Sequence, residues 1–140
     1  QDELFALASD KLTPVWQNNL AELSLLLNQL ELSKFQQQHN QSISALTHAS
    51  KQLQLQLLIE GHTDAQPIKS ARFPSNWELS TARAMSIERF LEQKLQLPAK
   101  TFAIAGLGSF RPKTDVMAYA DNRRIEIYLQ LYLTSQEQTQ

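Results

Sequence analysis

The sequence has no cysteine and only three glycines, Gly61, Gly106 and Gly108, in 140 residues. Without cysteine there can be no disulfide and no thiolate metal site, and stability must come from packing. So few glycines imply that each stands where the backbone needs a positive φ or a close approach. Charge of one sign is lacking too. Thirteen Lys and Arg against fourteen Asp and Glu leave a formal net charge of −1, and the basic residues are dispersed. Nucleic acid and anionic membrane surfaces select concentrated positive charge, so neither is expected as the main partner. No apolar run is long enough to span a bilayer. The opening Gln1-Asp2-Glu3 is polar and starts no signal peptide. Membrane attachment is therefore expected through a segment outside this chain. His39, His48 and His62 lack metal-ligand spacing, so no metal and no cofactor is expected.

What is present is an ordinary apolar fraction, 42%, sufficient for a core at this length. Residues 4–7 are a short apolar run, read as an edge strand and closed by Ser9 and Asp10. Thr13-Pro14 is a helix start. Leu20, Leu23, Leu27 and Leu30 then share one helical face, extended back by Trp16, while Leu25, Leu26 and Leu32 lie off it. Residues 32–53 are expected to be a helical insertion with a stripe at Ile43, Leu46 and Leu53; either one long helix continues through it or two helices form a hairpin near residues 39–41, and the hairpin is preferred. From residue 52 to 59 the period becomes two: Leu53, Leu55, Leu57 and Ile59 alternate with glutamines and Leu58, as in a half-buried strand.

Ser75-x-x-Glu78 matches a capping box. It opens a helix whose buried stripe is Ala84, Ile87, Leu91 and Leu95. Trp77 reads as belonging to the buried side of that helix rather than as a sugar platform. Phe102 and Ile104 share one face of a short strand, residues 115–121 form a short helix, and residues 124–133 alternate again. Residues 134–140 read as a polar tail. Strand–helix–strand crossovers imply parallel neighbours. The expected architecture is α+β: a single domain over residues 1–133, a mixed sheet of about four strands, and helices on one face.

Three strings in order carry more information than the rest: IEGHTD at 59–64 with FPSNWELSTARA at 73–84, AGLGSFRP at 105–112, and ADNRRIEIYL at 120–129. Together they resemble the OmpA-like C-terminal domain family, most of all the MotB type of flagellar stators. The resemblance covers residues 57–129, with a weaker echo over residues 4–23. It implies a periplasmic domain of a membrane-attached protein in a Gram-negative bacterium. It also implies a ligand, the diaminopimelate-containing peptide stem of peptidoglycan. Carried over by motif, the ligand site comprises Asp64 and Thr63 of GHTD, Asn76 before the helix, Leu79 and Arg83 of LSxxRA, and Arg123 and Arg124 after Asn122. Two departures from the family pattern stand out. Asp64 is followed by Ala65-Gln66-Pro67 where many members have glycine, and the stretch between Leu30 and Leu53 is longer than usual. The added length suggests a homodimer contact.

The chemistry is coherent without the resemblance. Diaminopimelate presents an ammonium and a carboxylate on one carbon. Asp64 at a strand end can accept from the first. Arg83 in the next helix can take the second with its planar fork, and the helix N-terminus favours the same anion. An isolated Asp–Arg pair, by contrast, is usually a salt bridge of small worth, and Asn76, Arg123 and Arg124 could equally be structural. An enzyme would need a nucleophile or activated water with positioned partners. Glu60, His62 and Asp64 match no such spacing, so no catalysis is expected. The alternative is an interaction scaffold of the same fold that dimerises and binds the wall weakly or not at all.

Overall fold

Alternation in the leucine-glutamine run builds the central strand. In the computed structural model, which describes residues 4–6, 8–47, 51–113 and 119–135, that strand is β1 (Lys51–Gly61). It buries Leu53, Leu55, Leu57, Ile59 and Gly61 on one side. β2 (Phe102–Gly106) lies parallel to it, with Leu57 opposite Phe102 and Gly61 opposite Gly106. β3 (Ile125–Ser135) runs antiparallel on the other side, from Gly61 opposite Ile125 to Lys51 opposite Ser135. The order is β2-β1-β3.

The α+β architecture with a mixed sheet is as expected, but the sheet has three strands among the described residues rather than about four. Leu7 lies outside the described residues; the rest of that run, residues 4–6, makes only an isolated antiparallel bridge among the described residues, Phe5 to Leu12. It turns back on itself. Thr13 N–H donates to Leu4 C=O, Ser9 N–H donates to Ala6 C=O, and Ala8 takes a positive φ of 51°. Its apolar content serves the core through Phe5 instead of pairing at a sheet edge.

Helix α1 (Pro14–Gln29) carries Leu20 into the core and packs Leu23 and Leu27 against it, while Leu25, Leu26 and Leu30 stay exposed. Helix α3 (Asn76–Lys94) crosses over between β1 and β2. Its buried face includes Ala84, Ile87 and Leu91, continued beyond its end by Leu95. Asn28 ties the two helix ends together: its amide donates to Lys94 C=O at 3.0 Å and accepts from Gln96 N–H at 3.4 Å.

The expected hairpin turn near residues 39–41 is not there. The chain breaks earlier, at Glu31 (φ 46°), and α2 (Leu32–Thr47) runs straight through the polar stretch. The reason lies in that stretch. β2 is short and pairs with β1 only from Leu57 onward. The amino half of β1 therefore has no strand on that side among the described residues. Gln36 donates to Leu53 C=O at 2.9 Å, and Asn40 accepts from Leu53 N–H at 2.6 Å. Two amides one helical turn apart thus satisfy both backbone groups of one strand residue. Leu53 belongs to the strand, and the helical insertion ends before it. The Leu46 side chain lies outside the described residues. The short helix expected over residues 115–121 is α4 (Tyr119–Asn122); residues 114–118 lie outside the described set. β3 continues through Thr134 and Ser135 into the segment read as tail.

Candidate functional site

The carboxyl end of β1 is where the polar residues gather. The chain leaves Gly61 between its two neighbouring strands. His62 N–H donates to Arg124 C=O and Thr63 N–H to Gly108 C=O, both at 2.9 Å. These bonds continue the ladder past the strand end and deliver Asp64 to a fixed place. Helix α3 comes very close here. A Cβ on Gly61 would lie 2.1 Å from Ser80 C=O, so only glycine permits the packing. Ser80, wholly buried, accepts from Gly108 N–H at 3.0 Å and donates to Trp77 C=O at 3.0 Å. Gly108 itself needs its positive φ of 53° to make that turn.

Asp64 is 6% exposed. One carboxylate oxygen accepts from Gln66 N–H at 3.0 Å, the turn-forming bond of a short polar side chain. The other takes the Arg123 guanidinium at 3.0 Å. Asn76, the first residue of α3, donates to Asp64 C=O at 3.3 Å and Gln66 C=O at 3.1 Å. Asp64, Asn76 and Arg123 are thus joined by direct contacts, though they come from three separate parts of the chain. Ser75 caps the helix by accepting from Trp77 N–H and bonds Glu78, completing the expected capping box. That bond holds the Glu78 carboxyl below the usual glutamate value.

The other expected site residues sit as follows. Thr63 is buried, and its hydroxyl has no hydrogen-bond partner among the described residues. Leu79 is buried on α3. Arg83 is 6% exposed, and the N-terminal hairpin holds it: Nε donates to Ser9 C=O at 2.9 Å, and the guanidinium carbon lies 5.0 Å from the centre of the Phe5 ring. Arg124 donates to Glu126 at 2.5 Å and to Arg111 C=O at 3.1 Å.

Arg124 belongs to a network on the sheet face away from the helices. Glu60, His62 and Glu126 each bring one potential ligand atom within 4.8 Å of the others. However, Glu126 already binds Arg124 with one oxygen and Tyr128 with the other, and the guanidinium would repel a dication. The Tyr128 and Arg124 bonds hold the Glu126 carboxyl below its ordinary value. Burial, then the nearby Arg124 charge, lowers the His62 pKa below 6.5. The imidazole is buried beside this arginine–carboxylate pair, and neither ring nitrogen has a hydrogen-bond partner among the described residues.

Sequence reasoning missed one pair. Trp77 was placed on the buried side of its helix, yet it is 47% exposed. Its ring stacks on Phe110, which is 67% exposed, at 4.9 Å between centres. Helical periodicity alone does not reveal this exposure. Trp77 lies seven residues before Ala84 and so shares its face by periodicity, but it stands in the first turn of α3, at the start of the helix.

Residues 27–126 match the OmpA family. Motility protein B of Bacillus subtilis (strain 168) is 37% identical over 76 residues, which is 52% of this chain and 29% of that protein. The chain spans less than a third of the length of the curated relatives it matches. Among solved structures, the cell wall anchor of the T6SS from Pseudomonas aeruginosa superposes with a TM-score of 0.62 and 32% identity, over 90% of this chain and 73% of that one. The C-terminal domain of Helicobacter pylori MotB (residues 125–256) gives a TM-score of 0.62 at 19% identity, over 93% and 86%. The match takes in β1, α3 and β2 whole and reaches the Arg123–Glu126 segment, so the chain belongs to the OmpA family.

Proposed function

We propose that this domain binds peptidoglycan without catalysis and so anchors a membrane-attached protein to the cell wall from the periplasmic side. The observation that carries the reading is the fixed anion at the end of β1. Asp64 stands at the motif position, buried, held by Arg123 and Gln66, with Asn76 bracing its backbone. A carboxylate offers about four lone-pair sites, and these two bonds use two of them. The remainder can accept from the ammonium of diaminopimelate, and Arg83 supplies the cation for its carboxylate. The names of the similar proteins, a motility protein and a cell wall anchor, agree with this use.

A second reading, self-association, is favoured by a different observation. Leu129, Leu131 and Leu133 on β3 are each about half exposed along a strand without charge from Ile127 to Ser135. Dimerisation and wall binding are compatible, and the attachment segment lies outside this chain.

Incubation with purified sacculi tests both. Co-sedimentation without release of muropeptides is expected; release would indicate an enzyme. Failure to sediment, with a dimeric mass by light scattering, would leave the scaffold.

A further inference from the structure

We propose that Trp77 and Phe110 form a platform for a pyranose ring of the wall glycan, beside the peptide site. The inference rests on the wall-binding reading and extends it from the peptide to the sugar.

Two large aromatic rings, 47% and 67% exposed, stack on each other at the surface with an interplanar angle of 22°. Leaving such area in water forgoes burial energy that aromatic side chains normally contribute. The pair is also rigidly placed. Trp77 sits in the first turn of α3, with its N–H capped by Ser75. Ser80, one turn on, bonds both Trp77 C=O and Gly108 N–H. The turn at Gly108 then sets Phe110 over the indole; a Cβ on Gly108 would lie 3.4 Å from the Phe110 ring. A preorganised flat surface pays little ordering entropy on binding.

The platform adjoins the peptide site from both sides. Asn76, next to Trp77 in sequence, donates to Asp64 C=O. Gly108, two residues before Phe110, accepts from Thr63 N–H. In peptidoglycan the glycan lies a few residues of stem peptide from diaminopimelate, roughly 10 Å of extended chain. A ligand seated at Asp64 therefore brings its sugar within reach of the rings. A pyranose has a C–H face that an aromatic ring can cover, while its rim hydroxyls stay in water. A protein partner fits less well: two rings expose at most a few hundred Å², well below the roughly 800 Å² per side of a standard protein interface.

The test uses a Trp16→Phe background, which leaves Trp77 as the sole tryptophan. Free stem peptide and the same peptide on its disaccharide are titrated by calorimetry and by tryptophan emission. The disaccharide form is expected to bind about tenfold tighter, about 1.4 kcal/mol, and to shift the emission. Phe110→Ala, and separately Trp77→Ala in the native Trp16 protein, should lose that gain and keep the peptide affinity, with circular dichroism confirming the fold. Phe110 is the more exposed ring, so its variant stands if Trp77→Ala misfolds. Equal affinities in the parent protein, or a gain retained by Phe110→Ala, would overturn the platform while leaving wall binding intact. Binding of neither ligand would sink the wall reading and this inference together.

Discussion

The two ends of β1 are built on opposite plans. At its carboxyl end the strand is flanked by β2 and β3, the ladder continues through His62 and Thr63, and α3 presses so close that Gly61 has no room for a Cβ. At its amino end, among the described residues, only β3 pairs with it, and helix side chains stand in for a second strand at Leu53. The first end leaves the backbone little alternative position, as the proposed site, with its buried carboxylate, requires. The second end tolerates approximation, because a side-chain amide can shift by a fraction of an ångström without breaking the sheet.

This contrast predicts a gradient of sensitivity. Gly61→Ala places a methyl group against Ser80 C=O and should destabilise the fold most, by about 3 kcal/mol in urea unfolding. A loss below about 1 kcal/mol would mean that α3 can retreat, and the rigid plan would fail. Asp64→Ala comes next. It removes the carboxylate that Arg123 bonds and should cost about 1–2 kcal/mol of stability, at the lower end because Arg123 is partly exposed. It should also weaken binding of a diaminopimelate stem peptide about ten- to a hundredfold by calorimetry. Wild-type affinity in the folded variant would remove Asp64 from the site. At the other end, Asn40→Ala leaves Leu53 N–H without its acceptor and should cost about 1 kcal/mol. Peptide affinity should not change. An affinity loss there would show that the two ends communicate.

The smallest effect is a pH slope. His62 has its pKa lowered, first by burial and then by Arg124. The folded state therefore resists protonation that the unfolded chain accepts near pH 6.5. The sign follows: the contribution is complete above that pH and is lost as pH falls from there toward the lowered folded value. Thermal midpoints measured between about pH 7.5 and 5 should decline, and His62→Gln should flatten the decline. An unchanged slope in His62→Gln would assign the effect to other groups.

Much of this was legible in the sequence where one rule governs. Alternation located β1 and β3, the 3.6-residue stripe located α3 with Ala84, Ile87 and Leu91, and Ser75-x-x-Glu78 located its cap. Asp64, Asn76 and Arg123 were named from motifs, and direct contacts join them. The misses arose where tertiary context overrides a local pattern. The polar run at residues 36–41 looked like a turn because its partner, the unpaired edge at Leu53, is invisible to periodicity. Residues 4–7 look like a strand from their apolar run alone; the described residues 4–6 instead fold back to place Phe5 over Arg83, which depends on a helix far along the chain. The burial of Arg83 was missed for the same reason. It makes Arg83→Ala a change to the packing of the N-terminal hairpin as well as to any ligand contact.

The Gln36–Asn40 pair has a consequence beyond stability. An open strand margin is a template on which another polypeptide can crystallise its own backbone. Here the donor and the acceptor of Leu53 are both already occupied by a helix, so recruitment at that position must first displace two amides. Wherever many copies of such a domain are crowded together, that occupied margin works as a guard against sheet-to-sheet polymerisation.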